Sequence, residues 1–158
     1  MKVLILGGVA AGTKAAAKLK REDPACDVCI LSKGKHISYA GCGLPYYVGN
    51  VIHEKEALIV NTPEKFSALT GADVKTETEA IALHPETKTV DAKDLKTGEI
   101  SSYPYDKLVI ATGASPFIPD IPGVHLKNVF VMRTPEDAIS LREAIEDGSS
   151  KRAVVAGG

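Results

Sequence analysis

The feature that most constrains the fold is an apolar run that ends in two glycines. Residues 2–6 (Lys-Val-Leu-Ile-Leu) precede Gly7 and Gly8, and such a run is typical of a parallel strand that is buried on both faces. Residues 12–21 are rich in Ala, Lys and Leu, which favours a helix, and residues 27–31 predict a second strand. The order strand, helix, strand predicts a parallel sheet.

Further along the chain, the pattern predicts short strands, a hairpin and two capped helices. Residues 38–50 are rich in glycine, so we expect irregular backbone that opens a short helix, and the prolines at positions 116, 119 and 122 indicate an extended linker. Strands are predicted at residues 73–81, 87–91, 99–105 and 108–111 with a hairpin turn at 96–98, and helices at 63–69 and 135–145 behind the N-caps Thr62 and Thr134. The predicted fold class is α/β: a Rossmann-like, three-layer domain with a parallel sheet and a β-hairpin insertion.

Composition and charge exclude several classes of protein. The chain has 158 residues, about the length of one domain, and 44% of them are hydrophobic, so it can bury a core. Its 19 basic and 20 acidic residues give a net charge of −1, and we expect no nucleic-acid or membrane partner. The longest apolar runs are far shorter than the roughly 20 residues of a membrane span. Three cysteines, an odd number, and the absence of a secretion signal predict a protein of the reducing cytoplasm.

An internal repeat links the two ends of the sequence. Residues 2–8 and residues 152–158 share one pattern: a basic residue, four apolar residues and two glycines. A phosphate-binding turn of this kind leads into a helix, and the second copy stops at its glycines. We therefore expect one nucleotide-binding domain at residues 1–150 and, at residues 151–158, the first strand of a second, truncated one from a longer enzyme. The alternative is a C-terminal strand that matches by chance.

The first turn carries a near match to a dinucleotide-binding motif. Residues 7–12 read Gly-Gly-Val-Ala-Ala-Gly, so Val9 stands where the middle glycine of GxGxxG belongs. Gly7 permits the tight turn, Gly12 lets the helix approach the strand, and N–H groups at the helix start can hold a pyrophosphate. Ser32 ends the second strand, where an acidic residue usually binds a ribose, and its hydroxyl offers a weaker hydrogen bond.

Three segments in a fixed order carry a family resemblance. They are the turn at residues 7–12, the run Ser-Tyr-Ala-Gly-Cys-Gly-Leu-Pro-Tyr-Tyr at residues 38–47, and Tyr-Asp-Lys-Leu-Val-Ile-Ala-Thr-Gly-Ala at residues 105–114. With them the sequence resembles, over essentially its whole length, the single-cysteine branch of the pyridine nucleotide–disulfide oxidoreductases, which includes coenzyme A disulfide reductases, NADH oxidases and persulfide reductases. The resemblance implies FAD in the first βαβ unit, NAD(P)H at a second site largely outside this chain, and a homodimer.

The resemblance also implies which residues contact FAD. The glycine turn would hold the pyrophosphate, the end of the second strand would bind the ribose, and the backbone at Ala80 would lie beside the adenine. The implied contacts are Gly7, Gly8, Val9, Ala10, Ala11, Gly12, Ser32, Lys33, Cys42, Ala80, Ala111, Thr112, Gly113 and Arg133.

Cys42 is the candidate redox residue in this resemblance. A thiolate is the reactive form of cysteine, and the glycines around Cys42 let a substrate approach closely. No cysteine follows at the short spacing of a dithiol pair, so the chemistry runs through a mixed disulfide, persulfide or sulfenic acid. Electrons would pass from NAD(P)H through FAD to the oxidised cysteine. The alternative is a small buried residue in a turn. Cys26 and Cys29 match CxxC, but Cys29 lies inside the second predicted strand and Cys26 just before it, so we interpret both as ordinary core or strand-edge residues.

Two further features bear on the substrate. Lys14, Lys18 and Arg21 are spaced i, i+4 and i+7, which places them on one helix face. Coenzyme A carries phosphates that this face could bind, and the resemblance implies Ser38 as a further contact. The alternative is an ordinary solvated face. Ala10 stands where peroxidases and oxidases of the family carry a histidine, which favours disulfide or persulfide reduction.

The sequence therefore predicts the FAD-binding part of an NAD(P)H-dependent flavoprotein that reduces a small disulfide or persulfide of the coenzyme A type. The alternatives are an NADH oxidase and a non-catalytic flavin- or nucleotide-binding module. The four histidines show no metal-ligand spacing, so no metal is expected. The 158 residues alone are expected to hold FAD poorly and not to oxidise NAD(P)H, because the second nucleotide site is incomplete.

Overall fold

The computed structural model describes residues 1–148 and 152–156, which contain two β-sheets and four α-helices. The strands are β1 (Lys2–Leu6), β2 (Asp27–Leu31), β3 (Asp73–Lys75), β4 (Thr78–His84), β5 (Thr89–Asp94), β6 (Ile100–Pro104) and β7 (Lys107–Ile110). The helices are α1 (Ala10–Glu22), α2 (Leu44–Val48), α3 (Pro63–Thr70) and α4 (Pro135–Glu146), with 3-10 turns at Gly41–Gly43 and Lys55–Leu58. The chain forms two compact units, residues 1–39 with 59–113 and residues 40–58 with 114–158. None of the described helices is long and apolar enough to cross a bilayer.

The first unit is built on a parallel sheet with the strand order β3-β2-β1-β7. β1 lies inside this sheet, where Leu6 is paired with Leu31 of β2 and with Ile110 of β7. Residues 3–6 are all buried, as expected for a strand that is covered on both faces. Because the strands run parallel and in this register, β1, β2 and β7 end at one edge of the sheet.

Helices cover one face of the parallel sheet, and the antiparallel sheet covers the other. Ala16 of α1 and Phe66 of α3 share a core with Ile5, and the small Ala16 side chain lets α1 lie close to the strands. Leu4, whose side chain points to the opposite face, packs with Val90 of β5. The predicted α/β fold of three layers is confirmed.

The antiparallel sheet has the order β4-β5-β6 and contains the predicted hairpin. In the turn between β5 and β6, the Asp94 carboxylate accepts two backbone hydrogen bonds, and Gly98 has a φ of 79°. The single strand predicted at residues 73–81 is wrong, because β3 joins the parallel sheet and β4 joins the antiparallel one. Glu77, with a φ of 52°, turns the chain between them, and no glycine marks that turn in the sequence.

The second unit packs α2 against α4. Leu44 and Tyr47 of α2 form a small core with Ala138 of α4. α4 begins behind Thr134, as predicted: the Thr134 hydroxyl accepts the Asp137 N–H, and the Asp137 carboxylate accepts the Thr134 N–H. This reciprocal capping box satisfies two N–H groups that the helix itself leaves unpaired.

Residues 114–131 and residues 152–156, both of the second unit, contain neither helix nor strand. Residues 114–131, which include the three linker prolines, form coil and turns. Residues 152–156 are exposed, with Val154 at 93% and Val155 at 88%, and have no strand assignment. The last two residues of the repeat, 157–158, and residues 149–151 around the predicted boundary lie outside the described residues, so the strand at 151–158 and the domain boundary at 150 stay predictions.

Candidate functional site

The turn after β1 is fixed by contacts that only glycine permits. Gly7 has a φ of 110°, and a Cβ there would lie 2.1 Å from the carbonyl oxygen of Ala111. A Cβ on Gly12 would lie 1.8 Å from the carbonyl oxygen of Gly7. The turn, the start of α1 and the end of β7 therefore meet through bare backbone. These contacts agree with the turn and packing roles expected of Gly7 and Gly12.

Gly8 lies beside two of the predicted polar residues. A Cβ on Gly8 would lie 2.7 Å from Ile37 Cγ2 and 3.1 Å from Ser32 Oγ. The Ser38 N–H donates to the Gly8 carbonyl oxygen at 2.9 Å, and Ser38 Oγ accepts from Asn61 Nδ2 at 3.4 Å. The structure thus brings Ser32, predicted for the ribose, and Ser38, predicted for the substrate, to the same glycine.

The start of α1 can hold an anion. α1 begins at Ala10, two residues before the predicted start, and its N-cap Val9 makes no side-chain hydrogen bond. Its first turn contains no acidic side chain, and the Thr13 hydroxyl donates to the Val9 carbonyl oxygen. The N-cap side chain therefore does not cap the first N–H groups of this 13-residue helix, and the helix dipole favours a negative charge there. The turn fits the pyrophosphate of FAD.

Several other predicted cofactor residues of the first unit follow the strands that end beside this turn. Ser32 follows β2 and residues 111–113 follow β7, so both stand at the edge where β1 also ends. Lys33 Nζ lies 2.7 Å from Glu79 Oε1, and Ala80 is the next residue of β4. Ligands of open α/β sheets bind at the carboxyl ends of the strands, which is the edge that Ser32 and residues 111–113 share.

Cys42 belongs to the second unit and is exposed. It is the middle residue of the 3-10 turn Gly41–Gly43, which runs directly into α2. A Cβ on Gly41 would meet no atom of the described residues within 4 Å, so this side of the turn is open. The Gly43 N–H donates to the Ala40 carbonyl oxygen at 2.8 Å and closes the turn. The alternative interpretation of Cys42 as a buried residue is wrong.

Arg133 also belongs to the second unit. Its Nε donates to the Ala114 carbonyl oxygen at 2.8 Å, and its backbone N–H donates to the Asp137 carboxylate at 2.9 Å. Arg133 therefore ties the start of α4 to the beginning of the linker. Its predicted contact with FAD, like that of Cys42, stays a prediction.

A comparison with family models shows which family this chain belongs to. The family model described as "Pyridine nucleotide-disulphide oxidoreductase" matches residues 1–158, the whole chain. The chain belongs to this family. The resemblance found in the sequence is confirmed, and it agrees with the predicted cofactors, because pyridine nucleotide-disulphide oxidoreductases are flavoproteins that use NAD(P)H.

Individual relatives are similar over nearly all of this chain and a minor part of their own. An NAD(P)H sulfur oxidoreductase (CoA-dependent) of Pyrococcus abyssi is 40% identical over 99% of this chain and 34% of its own length. An NADH oxidase of Enterococcus faecalis is 37% identical over 100% of this chain and 35% of its own length. The structure of an NAD-dependent persulfide reductase from A. fulgidus superposes with a TM-score of 0.89 at 38% identity, over 94% of this chain and 28% of that one. The chain spans about a third of the length of the curated relatives it matches.

The two other cysteines of this chain are poor nucleophiles. Cys26 is 1% exposed. Burial raises the pKa of the Cys29 thiol to about 12, and the nearby Asp73 carboxylate, which accepts from Cys29 Sγ at 3.7 Å, adds to the shift. Both effects disfavour the thiolate. The CxxC spacing therefore marks two packed residues, as the sequence analysis interprets them.

Timed alkylation should separate the three thiols. We expect iodoacetamide at pH 8 to label Cys42 first, because it is exposed and stands in an open turn. With a pKa of about 12, Cys29 has about one thiolate in ten thousand at that pH and should react last or only after unfolding. Peptide mapping by mass spectrometry follows each site. Labelling of Cys26 or Cys29 ahead of Cys42 contradicts the assignment.

The three predicted substrate cations all lie exposed on α1. Lys18 Nζ lies 2.5 Å from Glu22 Oε1 in an i,i+4 pair, and both side chains are more than 60% exposed. An exposed pair of this kind is weak and leaves Lys18 free to exchange partners. The i,i+4 spacing of Lys18 and Glu22 is visible in the sequence, but Glu22 was not among the predicted site residues.

Histidines do not form a metal centre in the described part of the chain. Residues 1–148 and 152–156 contain no group of three His, Cys, Asp or Glu side chains placed to hold a metal ion. His84 instead pairs with Asp91 at 2.9 Å on the antiparallel sheet, and this hydrogen bond holds the pKa of the Asp91 carboxyl below its usual value.

Sequence reasoning missed one residue near the cysteine segment. Arg142 of α4 reaches residues 47–53, which are about ninety positions earlier in the chain. The only local signal was its i,i+4 spacing to Glu146, whose carboxylate accepts from Arg142 Nε at 2.8 Å. That spacing indicates an ordinary surface pair and does not reveal the distant contacts.

Proposed function

We propose that this chain is the FAD-binding part of an NAD(P)H-dependent flavoprotein that reduces a low-molecular-weight disulfide or persulfide of the coenzyme A type through Cys42. The observation that carries the proposal is the exposed Cys42 in an open glycine turn, while the other two thiols are packed and, for Cys29, hard to ionise. The names of relatives support the substrate class, since one is a CoA-dependent sulfur oxidoreductase and another a persulfide reductase.

The residues of the first unit would hold FAD. Backbone N–H groups at the start of α1 would bind its pyrophosphate, and the Ser32 hydroxyl would bind its ribose. Gly7 and Gly12 would keep the turn free of side chains. When bound, FAD would supply the two electrons, taken from NAD(P)H, that return an oxidised cysteine sulfur to the thiolate.

Cys42 would carry the covalent step. Its thiolate attacks one sulfur of a disulfide RS–SR, so that a Cys42–SR bond forms and RS⁻ leaves. Two electrons and one proton then convert the mixed disulfide to the Cys42 thiolate and RSH, and a second proton converts RS⁻ to RSH. The sum is NAD(P)H, RSSR and H⁺ giving NAD(P)⁺ and two RSH. With a persulfide RS–SH as substrate, the products are RSH and H₂S.

An NADH oxidase is the second candidate, favoured by the 37% identity to the Enterococcus faecalis NADH oxidase. Ala10, the first residue of α1, stands where peroxidases and oxidases of the family carry a histidine. Its methyl side chain cannot transfer a proton. This residue therefore argues for the disulfide or persulfide reaction rather than for oxygen reduction.

Anaerobic turnover of the full-length protein tests the proposed function. NAD(P)H oxidation with coenzyme A disulfide should release two thiols per NAD(P)H in the absence of oxygen. The same measurement in air without disulfide reports oxidase activity. Oxygen-dependent NADH consumption without thiol release would replace the reductase by the oxidase, and flavin binding without either activity would favour the non-catalytic module.

We also propose a cytoplasmic homodimer whose second nucleotide site begins at residue 151. The family resemblance supports the dimer, and the repeated strand-and-glycine pattern at residues 152–158 supports the second site. Light scattering of the full-length protein measures the dimer. A monomer at micromolar concentration contradicts it.

The basic face of α1 makes a separate prediction about the substrate. Replacing Lys14, Lys18 and Arg21 by Gln should raise the KM of the full-length protein for coenzyme A disulfide and leave flavin content unchanged. A charge-assisted phosphate contact contributes about 1.5–3 kcal/mol, so each lost contact should raise KM about tenfold or more. Glu22→Gln, which frees Lys18 from its ion pair, serves as the control. If KM does not change, the face is only solvated.

A further inference from the structure

A single arginine of α4 contacts both the end of α2 and the turn that follows it. Arg142 Nη1 lies 3.1–3.2 Å from the carbonyl oxygens of Tyr47, Ile52 and His53. Its Nη2 donates to the Asn50 side-chain oxygen at 2.7 Å. One guanidinium thus donates hydrogen bonds to four of the seven residues 47–53.

The Arg142 side chain is also partly buried by its neighbours. Its guanidinium carbon lies 4.5 Å from the centroid of the Tyr47 ring, a cation–π distance. Its Nε donates to Glu146 Oε1, and the Arg142 side chain is only 14% exposed while that of Glu146 is 61% exposed. Partial burial removes some of the water around this cation, and the acceptors on these residues replace it.

The residues that Arg142 contacts follow directly on the segment that carries Cys42. The 3-10 turn Gly41–Gly43 continues without a break into α2, and Arg142 binds where α2 ends. A cation at this end also complements the helix dipole. Any movement of α2 along its axis therefore moves Cys42 as well.

Apolar contacts alone would not prevent α2 from moving along its axis. Leu44 and Tyr47 pack on Ala138 and Ile139 of α4, and such contacts are not directional. The Arg142 guanidinium fixes the direction and distance of residues 47–53 relative to α4, because its N–H groups lie in one plane and point at defined oxygens.

The backbone conformation and the side chain of Asn50 both suit its contact with Arg142. Its φ is 57°, a left-handed conformation that asparagine tolerates better than most residues. Its side-chain oxygen accepts from Arg142 and lies 3.2 Å from His53 Nδ1. Glycine would suit this backbone as well, but it would remove the acceptor.

We propose that Arg142 is a positioning residue for the reaction at Cys42. By fixing residues 47–53, it holds α2 and the preceding turn in one place, so that the Cys42 sulfur meets its substrate in one geometry. Small misplacements of a reacting group are costly in rate. This inference rests on the proposed function, and its test includes readouts that do not need that function.

The test compares variants of Arg142 and its partners in the full-length protein. Arg142→Met keeps the apolar stem and removes every donor, Arg142→Lys keeps the charge without the guanidinium, and Asn50→Gly keeps the backbone and removes one acceptor. Glu146→Gln, which alters only the exposed partner, is the matched control. Each is assayed for kcat per bound flavin, KM for NAD(P)H, flavin content, and amide hydrogen exchange.

For Arg142→Met we expect kcat per bound flavin to fall about tenfold or more, with flavin content and KM for NAD(P)H unchanged. Arg142→Lys and Asn50→Gly should lie between this variant and the parent, and Glu146→Gln should match the parent. Amides of residues 44–53 should exchange about tenfold faster in Arg142→Met, while those of β1 and β2 stay unchanged.

Two results overturn the inference. One is an unchanged kcat per bound flavin in Arg142→Met. The other is a loss of activity that merely follows flavin content and unfolding temperature, which is the signature of a structural residue. If Arg142→Met does not fold, Arg142→Lys and Asn50→Gly decide by the same two criteria.

Failure of the proposed function is a distinguishable outcome. If the parent protein reduces no disulfide or persulfide, the readouts become the alkylation rate of Cys42 and the exchange of residues 44–53. A faster rate in both for Arg142→Met, with Glu146→Gln unchanged, supports positioning of the thiol by Arg142. Unchanged rates overturn it.

Discussion

Cys42→Ser in the full-length protein is expected to abolish NAD(P)H-dependent reduction of coenzyme A disulfide. A serine hydroxyl is not ionised at neutral pH and cannot form a disulfide-linked intermediate, so no turnover above the rate without protein should remain. Cys42 is exposed and its turn is open, so serine fits without strain and flavin content should stay at the parent level. The measurements are thiol release, NAD(P)H oxidation and the flavin-to-protein absorbance ratio.

Cys29→Ser is the matched control for this prediction. The Cys29 thiol donates to Asp73, and a serine hydroxyl can take over that hydrogen bond. Its activity should therefore equal that of the parent. If Cys42→Ser keeps thiol release, the reaction does not pass through this residue. If it loses thiol release but keeps oxygen-dependent NADH consumption, that consumption does not require the thiol.

Short-range signals predicted the elements of the first unit well. The apolar run at residues 2–6 and the segment at residues 27–31 are strands with the predicted bounds. The predicted caps Thr62 and Thr134 both accept a hydrogen bond from the third residue of their helices. These features depend on neighbours within four positions, which a sequence displays directly.

Element boundaries were less predictable where a residue serves tertiary packing. The run of helix formers at residues 12–21 predicts a helix that begins at Gly12. Gly12 lies inside the first turn instead, where its missing Cβ lets the helix meet Gly7. Similarly, the break between β3 and β4 lies at Glu77, a residue type that rarely marks a turn with positive φ.

Contacts between distant residues could not be predicted from this one sequence. The approach of Gly8 to Ile37, and the four acceptors of Arg142, join residues about thirty to ninety-five positions apart. Neither contact has a local periodicity or motif. The candidate cofactor turn was readable because glycine spacing is itself a motif, whereas the contacts that hold the cysteine segment became visible only with the fold.

Gly12→Ala is expected to have the largest effect on the cofactor turn. Inside a helix this change ordinarily stabilises by about 1 kcal/mol. Here the added Cβ would lie 1.8 Å from the Gly7 carbonyl oxygen and 3.2 Å from Ile5 Cγ2, so α1 must move away from the turn. We expect a destabilisation of about 3 kcal/mol or more and a protein that loses most of its flavin. Thermal unfolding and the flavin-to-protein ratio measure both effects.

Gly34→Ala adds the same methyl group as the control. Its nearest atom would be the His36 carbonyl oxygen at 3.7 Å, an ordinary contact, so stability should change by less than about 0.5 kcal/mol and flavin content should be kept. The sign of the Gly12→Ala effect is decisive, because helix propensity and the close approach of α1 to Gly7 predict opposite signs. A stabilised, flavin-loaded Gly12→Ala protein would show that α1 does not depend on this contact and that the turn is not the pyrophosphate site.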